Sequence, residues 1–164
     1  MTKTVDFPLT TRTRVALSIA RGLAAAMGHD DLTPAHIALG MLREGENPAV
    51  AAIHHGGVAL HVIRRDLEAC LEPRGRTRPR EVALLLTPGE QRLLDQASSE
   101  GRIRNDEHVG TEHLLLAILR DASSPTAAAF ARHGFRFETA VTHLEFVIHR
   151  HAGPFGPHTS SPAV

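Results

Sequence analysis

An internal repeat constrains this chain more than any other feature. Val109 to Asp121 reads Val-Gly-Thr-Glu-His-Leu-Leu-Leu-Ala-Ile-Leu-Arg-Asp, and Leu32 to Glu44 reads Leu-Thr-Pro-Ala-His-Ile-Ala-Leu-Gly-Met-Leu-Arg-Glu. His36 matches His113 at an offset of 77 residues. The same offset matches Leu39 with Leu116, Leu42 with Leu119 and Arg43 with Arg120. After its first turn the later copy is apolar on nearly every side. A helix of that kind is stable only when covered all round. Each copy is therefore expected at the centre of a helical packing unit.

The register holds on both sides. Thr10 matches Thr87, Leu17 matches Leu94 and Ala20 matches Ala97. Asn47-Pro48 matches Ser124-Pro125, Gly57 matches Gly134, and Leu60, Ile63 and Leu67 match Phe137, Ala140 and Leu144. An offset held without insertion marks a tandem duplication. Within each copy the signals spell four helices. Thr10 or Thr11 caps the first, with Ala16, Ile19, Ala20, Leu23 and Met27 on one face. Thr33 with Pro34, and Asn47 with Pro48, supply cap and first helical residue for the second and third. Leu60, Ile63, Leu67 and Leu71 line the fourth. No stretch reads as a strand. The expected fold is all-α: eight helices as two tandem pseudo-symmetric four-helix repeats forming one compact domain.

The expected division is an extended lead-in over 1–9, repeat 1 over 10–71, a linker over 72–86, repeat 2 over 87–151 and a disordered tail over 152–164. The linker carries two prolines, a glycine and four arginines between Glu72 and Arg80, without apolar periodicity. It reads as a solvated connector. Half of so short a chain makes a meagre core alone, so the two repeats are expected to pack on each other.

Several function classes are disfavoured. Lys plus Arg and Asp plus Glu are both 18, so the basic excess usual in nucleic-acid binders is missing. Trp and Tyr are absent, so stacking platforms for bases are scarce. Cys70 is the single cysteine, which rules out an internal disulfide and a cysteine-based zinc site; a buried, inert thiol is expected there. No segment reaches membrane-span length and the start lacks a signal-peptide core, so a cytoplasmic protein is expected. No Gly-x-x-x-x-Gly-Lys-Ser/Thr loop is present, and neither ATP hydrolysis nor any cofactor is expected.

Thr-Glu-His-Leu-Leu-Leu-Ala-Ile-Leu at 111–119, preceded by Val-Gly, resembles the signature of the Clp N-terminal domain. Leu-Thr-Pro-Ala-His-Ile-Ala-Leu-Gly-Met-Leu resembles its first-repeat form, and Met27-Gly28-His29 is similar to the family's Leu-Gly-His. The likeness covers residues 10 to about 150. It implies a non-catalytic receptor of the kind found at the front of ClpA, ClpB and ClpC unfoldases, here as a stand-alone adaptor or decoy. Its implied partners are proteins or peptides, arginine-phosphorylated ones among them, and a Clp ATPase or adaptor.

The resemblance also implies a ligand site. The glutamate of Thr-Glu-His holds a guanidinium, because a carboxylate accepts forked N–H donors. The threonine at the start of each repeat's first helix receives a phosphate, because free N–H groups and the helix dipole favour an anion there. The residues that match are Glu112, Thr87 and Thr10, while Ala35 stands where repeat 1 needs a glutamate. The second copy is thus expected to bind alone. The competing readings are a dipole-stabilising first-turn glutamate and two plain N-caps. The twelve histidines keep a small metal-dependent hydrolase as the alternative function. No His-Glu-x-x-His pattern supports it, and His36 and His113 read as structural residues bonded to backbone at equivalent helix starts.

Overall fold

The structure, a computed structural model, describes residues 8–71 and 86–151. The expected tail, most of the expected linker and residues 1–7 of the lead-in lie outside the described residues. Eight helices follow in order: α1 (Thr11–Ala26), α2 (Pro34–Glu44), α3 (Pro48–His55), α4 (Leu60–Ala69), α5 (Pro88–Ile103), α6 (Thr111–Arg120), α7 (Pro125–Ala131) and α8 (Phe137–His151). Each helix of the second set starts 77 residues after its counterpart in the first. Cap chemistry explains the coincidence. Thr10, Asn47, Thr87 and Ser124 accept hydrogen bonds from the N–H three residues on, at 3.1 to 3.3 Å. Pro34, Pro48, Pro88 and Pro125 occupy first helical positions, where no N–H is needed.

The two second helices form the centre. Ile37, Leu39 and Met41 of α2 and Leu114 to Leu119 of α6 are buried and belong to one continuous apolar core. The first helix of each repeat packs on its own second helix. The fourth helices also pack on their own second helices, α4 on α2 and α8 on α6, but the third and fourth helices meet across the repeats. α3 packs against α8, and α4 against α7, so each repeat's third helix is covered by the other repeat's fourth. The two repeats pack on each other as one compact domain, as expected, and this exchange is how they do it. At eight and seven residues, α3 and α7 are too short to bury a face without outside help. His55 of α3 stacks on Phe146 of α8 at 4.0 Å between centroids. Across the other seam His133, just past α7, bonds Asp66 of α4 at 2.8 Å. Cys70 lies at this second seam, half-buried where a buried thiol was expected, and burial pushes it above its usual range.

Two further devices lock the repeats together. The lead-in pairs with repeat 2: the Val109 N–H donates to the Pro8 carbonyl at 2.8 Å, and the Thr10 N–H to the Val109 carbonyl at 3.1 Å. Arg21 of α1 makes a forked contact to Glu90 of α5, from Nε and Nη2, at 2.5 to 3.1 Å. The Glu90 side chain is fully buried.

His36 and His113 do bond to backbone. The Nδ1 of His36 accepts the Thr33 N–H at 3.0 Å, and that of His113 accepts the Gly110 N–H at 2.9 Å. A nitrogen that accepts carries no proton, so both rings are neutral with Nε2–H as donor. His113 gives that proton to Asp106 at 2.8 Å, whereas His36 gives it to His29, the residue 77 earlier than Asp106. Burial, helped by His29, pushes His36 from its ordinary 6.5 down to about 4. Between those values the unfolded chain holds a proton that the folded chain refuses. This contribution to stability is full above 6.5 and is lost as pH falls toward 4, on the order of 3 kcal/mol. Thermal melts across that window should therefore show a steeper acid loss for the wild type than for His36→Gln; equal slopes would disprove the assignment.

Candidate functional site

One cleft opens at the α3–α8 seam, and another lies within repeat 2 among α6, α7 and α8. The larger, of about 800 Å³, lies between the α2–α3 turn and α3 of repeat 1 and the ends of α6 and α8 of repeat 2. Val50, Ala51, Leu60, Val147 and Ile148 give it apolar walls, and Glu46, Asp106 and Glu112 give it carboxylates. α8 runs to His151 whereas its counterpart α4 ends at Ala69, so α8 has the extra length that carries Val147 and Ile148 to this cleft. The smaller cleft, about 340 Å³, is its repeat-2 mate: Ala122, Ala127, Ala131 and Phe137 stand where Gly45, Val50, His54 and Leu60 stand in the larger. It carries Arg120, Arg136 and Glu138. Arg120 is occupied, bonded to Glu100 and lying over the Phe137 ring at 4.3 Å. Burial pushes the Glu100 carboxyl up, but hydrogen bonds from Arg120 and Arg104 outweigh it and hold it below the usual carboxylate range.

Glu112 stands in the first turn of α6, on the wall of the larger cleft, with its side chain 19% exposed. Its carboxylate folds back over Gly110: a Cβ built at Gly110 would fall 2.2 Å from Oε1. A side chain at position 110 would make the carboxylate turn away from this seat. His113 does not neutralise it, because the Nδ1 facing Glu112 at 3.9 Å is the one that accepts the Gly110 N–H.

The two threonines are not where a one-repeat site would put them. Thr87 caps the start of α5, which has 16 residues. Asp106 follows the far end of α5 and bonds His113, the neighbour of Glu112. Thr87 and Glu112 therefore stand at opposite ends of a helix about 24 Å long. Thr10 is the threonine beside the Glu112 segment, through its backbone bond to Val109. Any site combining the two residue types is shared between repeats. The Thr87 pole also has an anion of its own. The Asp31 carboxylate accepts the Gly89 N–H at 2.8 Å. Burial raises the Asp31 carboxyl, but hydrogen bonds from Thr87, Gly89 and Leu32 outweigh this and hold it below its usual range. Both threonine hydroxyls also serve as N-caps.

Asp106, Glu46, Val50, Val147 and Ile148 are wall residues that sequence reasoning missed. The one signal in the chain was Asp106 falling on His29 at the repeat offset, a change from a titratable ring to a carboxylate. Among the described residues no three His, Cys, Asp or Glu side chains gather as a metal would need, and no helix is long and apolar enough to cross a membrane.

Residues 8–133 match the Clp repeat (R) N-terminal domain. The chain belongs to this family. Domains of the family are substrate- and adaptor-binding modules of Clp ATPases. Among relatives, the chain is 28% identical over 131 residues to the negative regulator of genetic competence ClpC/MecB of Bacillus subtilis, a match that covers 80% of this chain and 16% of that protein. It is 27% identical over 131 residues to the chaperone protein ClpB of Oceanobacillus iheyensis, with the same coverage. The chain thus spans about a sixth of the length of the curated relatives it matches. The fold is shared with the Hsp104 N-terminal domain from Candida albicans, at a TM-score of 0.68 and 18% identity over 84% of this chain and 89% of that one.

Proposed function

We propose that this Clp N-type module captures a segment of another protein in the larger inter-repeat cleft and does no chemistry on it. The observation that carries the reading is the cleft itself, with apolar walls from both repeats and the Glu112 carboxylate beside them. Apolar lining with a few placed polar groups is what a recognition site requires. In this reading the module hands its cargo to a separate Clp-type unfoldase as an adaptor, or withholds it as a decoy, since a free receptor occupies ligand by mass action. A phosphorylated arginine is less well served than an ordinary segment. The Thr87 helix start is filled by Asp31, and Thr10 is not on the cleft wall.

Ile148 is 45% exposed at the cleft, so an arginine there blocks the site with little strain on the core. Ile148→Arg is expected to weaken binding of a labelled, permanently unfolded casein by about tenfold or more in fluorescence anisotropy. Unchanged affinity would remove the cleft from the reading. Added to an unfoldase–protease degradation assay, an adaptor raises the rate and a decoy lowers it saturably.

A further inference from the structure

We infer that His55 and His143 form a binding site for a divalent transition-metal ion of the copper(II) or nickel(II) kind, with one ligand from each repeat.

The two imidazoles meet at the α3–α8 seam, with Nδ1 to Nδ1 at 2.7 Å. That is an N–H···N hydrogen bond, so one Nδ1 carries a proton and the other offers its lone pair. Stacking holds both rings in place. His55 lies on Phe146 at 4.0 Å between centroids, and His143 is nearly parallel to the buried Phe135, at 12° and 6.2 Å. The pair stands at the surface, where an ion reaches it from solvent. Arg150 lies over the same Phe146 ring, 5.2 Å from its centroid, and adds a positive charge to the neighbourhood.

The other seam shows that imidazoles are not needed to close such a junction. At the repeat offset His55 falls on Arg132 and His143 falls on Asp66. Those two face each other across the α4–α7 seam, with Nη2 to Oδ2 at 3.8 Å. An ion pair clasps one seam, and two neutral bases clasp the other. A guanidinium has no lone pair to give a metal, whereas each imidazole has one.

The spacing selects among metals. Metal–nitrogen bonds of about 2.0–2.1 Å put two ligands about 2.9 Å apart at a right angle, and about 3.3 Å apart at the tetrahedral angle. The observed 2.7 Å is close to the right angle, which copper(II) and nickel(II) take in square-planar and tetragonal shells and tetrahedral zinc does not. On binding, the proton on one Nδ1 moves to Nε2 of its own ring. Both Nδ1 lone pairs then turn to the ion, and a neutral pair releases no net proton. No third His, Cys, Asp or Glu side chain joins the pair among the described residues, so water fills the remaining positions. The ion would staple α3 to α8. Only the folded chain brings the two rings together, so binding stabilises the fold.

The test is calorimetric titration of the full, untagged chain with nickel(II) and with zinc(II), beside electron paramagnetic resonance with one equivalent of copper(II). Nickel is expected to bind one site more tightly than zinc does, and about tenfold or more tightly than it binds His143→Gln. The copper spectrum should show coupling to two imidazole nitrogens, and His143→Gln should abolish it. His55→Arg with His143→Asp transplants the clasp of the other seam. That variant is expected to melt as the wild type does without metal, and to lose both the nickel site and the rise in melting temperature that nickel brings. Unchanged nickel affinity in either variant, zinc bound more tightly than nickel, or no binding at all overturns the inference.

Discussion

Gly40→Ala is expected to destabilise the protein by about 1–3 kcal/mol, although the same change inside a helix is ordinarily favourable. Gly40 lies in α2, where α1 crosses it. A Cβ built there would fall 2.3 Å from the Ala16 carbonyl oxygen and 3.1 Å from the Ala20 Cβ. Ala16 and Ala20 are fully buried, and the nearest obstacle is backbone, which has no rotamer to turn aside. The two helices must move apart, and that loosens the α1–α2 pair over its length. Gly22 provides the control. It is inside α1 with nothing within 4 Å of its notional Cβ, so Gly22→Ala is expected to gain about 0.5–1 kcal/mol. Chemical denaturation of the two variants should give shifts of opposite sign. A stabilised Gly40→Ala would mean that the close approach is not real.

Arg21→Met is the second large effect. Glu90 is fully buried, and Arg21 is the cation that holds it. Removing the arginine leaves a buried carboxylate without its counter-charge, at a cost of about 3–5 kcal/mol. That is a large share of the ~5–15 kcal/mol by which domains are stable. The double variant Arg21→Met with Glu90→Leu should recover most of the loss, because replacing a whole buried pair by apolar groups is often neutral. The pseudo-symmetric positions make the same point: Thr13 and Ser98 stand there, both buried and neither charged. A single variant as stable as the double would show that Glu90 reaches water when Arg21 is gone.

Helix content and limits were legible in the chain because their causes are local. Thr10, Asn47, Thr87 and Ser124 cap whatever follows them, and the prolines mark the next position. The apolar face of α6 likewise shows through its own spacing. The exchange of third helices was not legible, because the faces of α3 and α7 read the same whichever fourth helix covers them. The separation of Thr87 from Glu112 was not legible for a related reason. Both belong to one repeat in sequence, but α5 holds them at its two ends, and the partner that reaches Glu112's segment is Thr10 from the other repeat. Asp106 showed only as a departure from His29 at the repeat offset, because its place on the cleft depends on His113, which positions it, and on α8, which faces it.

The exchange of third helices gives the duplication a particular licence. Two identical chains associating in this way would carry every feature twice and depend on concentration to stay together. Joined in one chain, the halves meet at high effective concentration, and selection can treat them separately. Glu112 can persist while Ala35 takes the other copy's place, and one cleft can turn acidic while its mate turns basic. The asymmetry of the surface is possible because the helix framework beneath it stays pseudo-symmetric.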